Sequence, residues 1–108
     1  MNVISKEELY EKIKRGDEFR LIMALDRNAY DQMHIPGSLH FENMVEAAEQ
    51  IDPGEEVIVY CSNPLCPVSV QAYRTLERRG YTNVYRYAGG LTEWLEAGYP
   101  LQGSQVAV

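Results

Sequence analysis

The run Val57-Ile58-Val59-Tyr60 constrains this chain more than any other segment. All four residues are β-formers, and they leave no polar face for solvent. A strand that is apolar on both faces must be covered on both, as in the middle of a parallel sheet flanked by helices. Asp52-Pro53-Gly54 supplies the turn before it. Parallel strands need long crossovers, usually helical, so helices are expected on either side in sequence.

The patterns for such helices are present. Ser5-Lys6-Glu7-Glu8 is a capping box with Ser5 as N-cap; Leu9, Tyr10 and Ile13 form the apolar stripe, and Gly16 stops the helix. Asn28–Met33 reads as a short helix closed by the turn His34-Ile35-Pro36-Gly37, and Asn43–Gln50 as another. From Val68 to Arg79, Val68, Ala72 and Leu76 recur at helical spacing; Arg74, Arg78 and Arg79 fill the solvated face and last turn, and Gly80 follows. A last short helix carries Trp94 and ends at Gly98-Tyr99-Pro100. Phe19–Ala24, Leu39–Phe41 and Asn83–Tyr87 read as strands. This alternation predicts one α/β domain over residues 1–101, with a mainly parallel sheet. Residues 102–108 carry no pattern and are expected to form a loose tail.

Charge and hydropathy exclude several functions. Sixteen acidic against ten basic residues give a net charge of −6, without the basic stripe a nucleic-acid binder needs. The longest apolar runs, Leu21–Leu25 and Val57–Cys61, are five residues each, against the roughly 20 required to span a membrane. The opening residues lack the basic and apolar regions of a signal peptide, so a cytoplasmic location is expected. Two cysteines, Cys61 and Cys66, are too few for a disulfide scaffold. They and the distant His34 and His40 are badly spaced for a metal site, so no metal is expected and no cofactor is implied. What remains is a cysteine pair five positions apart, which points to redox or nucleophilic chemistry. Cys61 directly follows the most apolar strand, where ligands of open parallel sheets bind.

The order of motifs carries more. Val57–Cys61 leads through a short loop to Ser69, Ala72 and Leu76; Gly80, Asn83-Val84, Gly89-Gly90, Trp94, Gly98 and Pro100 follow, and His34-Ile35-Pro36-Gly37-Ser38 stands upstream. Together these resemble the single-domain rhodanese-like sulfurtransferases, from about Ile4 to Leu101. The resemblance implies a rhodanese-like fold, a five-stranded, mainly parallel sheet with helices on both faces, and an active-site loop that begins with a cysteine. It implies that Cys61 takes a sulfane sulfur as a persulfide and passes it to a thiophilic acceptor. The partners implied are a small sulfur donor or protein persulfide and a thiol acceptor. Backbone N–H groups of the loop and the next helix are expected to lower the Cys61 pKa.

The substrate loop so implied is Ser62, Asn63, Pro64, Leu65, Cys66, Pro67 and Val68, and it departs from the family pattern Cys-x-x-Gly-x-Arg-Ser. The loop arginine is missing, no Lys or Arg occurs between Cys61 and Arg74, and Pro64 and Pro67 lack N–H groups. Weak activity with thiosulfate is therefore expected. The family's Asp-x-Arg at the end of the second strand is replaced by Met23 and Leu25; Asp26-Arg27 could substitute only after a shift that puts Arg27 past the strand. The resemblance extends to a branch with a Cys-x4-Cys loop, and Cys66 is either a resolving cysteine or an apolar filler of the loop. His34 and Trp94 read as structural, and Gly89-Gly90 as allowing backbone to approach the loop. Two other functions stay open: a catalytically idle binding or redox-sensing module, and a cysteine-loop phosphatase or arsenate reductase. The missing loop cation counts against the latter.

Overall fold

A computed structural model describes residues 1–106. Its elements are β1 (Val3–Ile4), α1 (Lys6–Arg15), β2 (Arg20–Met23), α2 (Arg27–Gln32), β3 (Leu39–His40), α3 (Met44–Gln50), β4 (Val57–Tyr60), α4 (Val68–Arg78), β5 (Val84–Tyr87) and α5 (Gly90–Glu96). The five strands form one sheet in the order β1-β5-β4-β2-β3, and every pairing is parallel.

The central place of β4 follows from its sequence. All four of its residues are buried. Ile58 and Tyr60 enter one core with Leu9, Leu21, Met23, Tyr87 and Trp94. Val57 and Val59 enter the other with Ile22, Ala47, Ala72 and Leu76. Alternation along β4 therefore sends its side chains to α1 and α5 on one face and to α3 and α4 on the other. The capping box of α1 forms as read: Glu8 N–H donates to Ser5 Oγ at 3.1 Å, and Gly16 takes the left-handed conformation at its end.

Several readings are refined. β1 was not legible in the sequence; it is two residues long and pairs with β5 at the sheet edge. Asp26 is no substitute for the missing strand-end pair. It is the N-cap of α2, where its carboxylate accepts the Ala29 N–H at 2.8 Å. The strand end is tied otherwise, by a 2.9 Å hydrogen bond between His40 Nε2 and the Leu25 carbonyl. Because a carbonyl only accepts, Nε2 carries the proton, and the buried Nδ1 has no partner among the described residues.

The expected loose tail is docked over its described part. Gln102 and His34 exchange backbone hydrogen bonds, and the Ser104 and Gln105 N–H groups donate to the Asp31 and Gln32 carbonyls. Open carbonyls at the end of α2 give the tail its partners. The rest of the tail, 107–108, lies outside the described residues.

Candidate active site

Cys61 stands one residue beyond β4, at the carboxyl rim of the sheet. It is 1% exposed. From there the chain turns over a loop before α4 begins at Val68. The start of the loop is held from behind by α5. The N–H groups of Leu91 and Thr92 donate to the carbonyls of Cys61 and Ser62 at 3.1 and 2.9 Å, and the Thr92 hydroxyl also reaches the Ser62 carbonyl. This approach requires Gly90, which has φ +67°; a Cβ there would lie 2.6–2.7 Å from Asn63 N, Cys61 O and Ser62 C. The reading of the Gly-Gly pair holds in detail for its second member.

The far half of the loop is built differently. Asn63 Oδ1 accepts the Leu65 N–H at 2.9 Å, and the Asn63 carbonyl accepts the Cys66 N–H at 3.2 Å. Pro64, Leu65 and Pro67 are exposed, Leu65 to 92%. Val68 borders a shallow groove of about 310 Å³ with Leu25, Phe41 and Met44. With two N–H groups used inside the loop and two lost to proline, few remain for an anion.

Of the others, the Ser62 and Val68 N–H groups favour ionisation of Cys66. Partial burial works against ionisation of its thiol, yet donation from Cys61, from the Val68 N–H, and from the Ser62 hydroxyl and N–H brings its pKa below the ordinary thiol value. Burial pushes the Cys61 thiol up, and its contact with Cys66 pushes it further; the Ser69 hydroxyl and N–H act in the opposite sense. The expected lowering at Cys61 is thus corrected. Burial outweighs the Ser69 donors at Cys61, and Cys66 is the more acidic partner. Helix α4 follows Pro67, its N-cap, which makes no side-chain cap hydrogen bond.

Cys61 Sγ lies 3.2 Å from Ser69 Oγ and 3.5 Å from the Cys66 carbonyl oxygen. Ser69 is fully buried. Its oxygen also accepts from Arg86 Nε at 2.9 Å, and Arg86 Nη2 donates to the Pro64 carbonyl at 3.3 Å. Sequence reasoning missed Arg86. The signal was a lone cation inside β5, a strand of a sheet covered on both faces. His34 takes no part in this cluster; its ring stacks on Tyr30 at 4.0 Å and bonds the Tyr30 carbonyl at 2.7 Å. The turn after it is fastened to β4 instead, since buried Tyr60 accepts the Ile35 N–H and donates to Ser38 Oγ, both at 3.0 Å. Trp94 is buried and donates to the Pro100 carbonyl at 2.8 Å. No cluster of three or more potential metal ligands occurs among the described residues.

Residues 5–97 match the family model of the rhodanese-like domain. The chain belongs to the rhodanese-like family. A rhodanese-like relative, the thiosulfate sulfurtransferase GlpE of Actinobacillus succinogenes, is 30% identical over 101 residues, covering 92% of this chain and 88% of that protein. Among solved structures, the BH2092 protein of Bacillus halodurans superposes with a TM-score of 0.89 at 21% identity, over 96% of this chain and 78% of the other. The human single-domain sulfurtransferase TSTD1 superposes with a TM-score of 0.74 at 24% identity, over 89% and 96%. At these identities the structures establish the rhodanese fold. Among the described residues, no helix is long and apolar enough to cross a membrane.

Proposed function

We propose that the protein is a sulfurtransferase that carries sulfane sulfur as a persulfide on Cys61. The observation that carries this reading is the placement of Cys61 at the rim of the central strand, at the head of a loop shared with a second thiol and Ser69. Membership in the rhodanese-like family and likeness to a thiosulfate sulfurtransferase support it. In the loading step the Cys61 thiolate attacks the sulfane sulfur of the donor. A new S–S bond forms, the donor's S–S bond breaks, and its electron pair leaves with the donor's other sulfur. In the transfer step a thiolate acceptor takes the outer sulfur and returns Cys61 to its thiolate. A polysulfide or a protein persulfide suits the site better than thiosulfate, because the loop carries no cation of its own and the chain's net charge is −6.

Cys66 has a role in the same scheme as resolving thiol. It lies in the same loop, its carbonyl oxygen is 3.5 Å from the Cys61 sulfur, and its thiol is the more easily ionised of the two. Attack on the inner sulfur of a Cys61 persulfide forms the Cys61–Cys66 disulfide and expels hydrosulfide; a thiol or dithiol reductant then restores both cysteines. The location that fits this chemistry is a reducing one, the cytoplasm.

Incubation with polysulfide followed by intact mass under non-reducing conditions tests the reading. A gain of one sulfur atom, lost on adding a thiol, is expected; Cys61→Ser abolishes it, and in Cys66→Ser the adduct lasts longer. An adduct that follows Cys66, or none on a folded protein, overturns the assignment and leaves a redox or binding module. Hydrolysis of a chromogenic phosphate ester, lost in Cys61→Ser, would instead point to the phosphatase reading.

A further inference from the structure

Arg86 sits in the middle of β5, paired with Val59 of β4 and Val3 of β1. Alternation places it with Val84 on the face covered by α4. There its guanidinium bridges Ser69 and Pro64 at the hydrogen-bond distances given above. Arg15, Arg20, Arg27 and Arg74 each pair with a carboxylate, and Arg78 and Arg79, which pair with none among the described residues, are exposed on α4 and just past its end. Among the described residues no carboxylate lies within ion-pair distance of Arg86, so its charge is uncompensated beside the sulfur cluster. A half-buried cation is costly to keep without a counterion unless its hydrogen bonds are made and its field is used.

We propose that Arg86 is the positioning cation of this site, acting on Cys61 through the Ser69 hydroxyl and on the loop through the Pro64 carbonyl. The inference rests on the reading of Cys61 as the sulfur carrier. The Arg86 Nε–H occupies one lone pair of Ser69 Oγ, which leaves the hydroxyl proton free to turn toward Cys61. While Cys61 is a thiol, its S–H has Ser69 Oγ and the Cys66 carbonyl as acceptors. When the sulfur becomes a thiolate or a persulfide, Ser69 becomes the donor. A hydroxyl polarised by a guanidinium gives a stronger hydrogen bond to an anion than an isolated one. The charge missing from the loop is thereby supplied from the neighbouring strand, one hydroxyl away from the sulfur. Among the described residues, the ionisable groups facing Cys61 are Cys66 from its own loop and, through Ser69, Arg86 from β5. Ser69 of α4 and Leu91 of α5 complete the surround and do not titrate.

The test is the pH profile of Cys61 alkylation by iodoacetamide, read by intact mass in a Cys66→Ser background. Arg86→Gln, which retains a donor but not the charge, should move the profile to higher pH and slow the reaction at neutral pH about tenfold. Arg86→Lys should recover part of that loss. Ser69→Ala should shift the profile in the same direction, and adding Arg86→Gln to it should then change little. A profile for Arg86→Gln that superimposes on that of the parent background overturns the proposal. So does an undiminished Arg86 effect in the absence of the Ser69 hydroxyl. Urea midpoints identify any variant that does not fold. If Arg86→Gln is one, the comparison of Arg86→Lys with and without the hydroxyl decides: a shift only when the hydroxyl is present supports the relay, and no difference overturns it. Polysulfide loading of the parent background separates the two readings, since a folded protein that takes up no sulfur on Cys61 defeats the proposed function whatever the profiles show.

Discussion

The first two residues of the candidate active-site loop, Cys61 and Ser62, hang by their carbonyls from the backbone of α5, whereas Pro64, Leu65 and Pro67 stand in solvent and their stretch is held by an Asn63 turn and the Arg86 side chain. The near end is fixed by main chain against main chain, a contact that tolerates no added atom. The far end is fixed by one backbone hydrogen bond within the loop and by the Asn63 and Arg86 side chains. The two thiols divide along the same line: the buried one lies where position is enforced, and the acidic one where solvent and donors reach it. Accurate placement and easy ionisation conflict in a single thiol, because the burial that locates a sulfur also opposes its charge. Here they are distributed over two.

The largest effect should come from breaking the near end. Gly90→Ala puts a Cβ within 2.6–2.7 Å of three backbone atoms and forces an L-residue to positive φ. A stability loss of about 3 kcal/mol or more is expected from that combination, measured by urea denaturation. A loss below about 1 kcal/mol would show that the near end yields as easily as the far one.

Next in size is the contrast between the thiols. Since burial raises Cys61 and donors lower Cys66, limited iodoacetamide treatment at neutral pH should label Cys66 about tenfold faster, with Cys61 following only as pH rises. Peptide mapping reads the ratio directly. The linkage signs are opposite too. The Cys66 contribution to stability is present above the unfolded thiol pKa and fades as pH falls through its lowered folded value. That of Cys61 is present below the unfolded value and fades as pH rises through its raised folded one. Tyr60, pushed up to about 12 by burial, adds to the alkaline loss in the same sense.

The smallest effect sharpens the comparison from the other side. Asn63→Ala removes the acceptor of the Leu65 N–H in an exposed turn. It should cost about 0.5–1 kcal/mol in the same denaturation measurement while leaving the Leu91 and Thr92 contacts intact.

Much of this fold is legible in the sequence. The doubly apolar run at 57–60 implied a covered central strand, and the spacing of Val68, Ala72 and Leu76 implied the helix that covers it, because both signals are local and periodic. The edge strand β1 escaped because two residues show no period. The role of Asp26 was open because a carboxylate at a strand end and one at a helix start look alike in sequence. Arg86 escaped for a third reason. Only the pairing of β5 beside β4 brings residue 86 to the loop that begins at residue 61, and no local pattern records that register. The acidity of Cys66 was equally hidden, since it depends on which way four donors point once the loop has closed.

The bonds from Leu91 and Thr92 to the loop have a consequence for how its opening can be watched. Both amides belong to the first turn of α5, where helices leave N–H groups without internal partners. Their protection from solvent exchange therefore depends on the carbonyls of Cys61 and Ser62 and not on the helix itself. If the near end of the loop lifts, these two amides exchange while the rest of α5 stays protected. Their exchange rates, measured by NMR on the reduced chain and after treatment with polysulfide, would act as a built-in clock for loop opening, set at the two residues where the proposed sulfur chemistry begins.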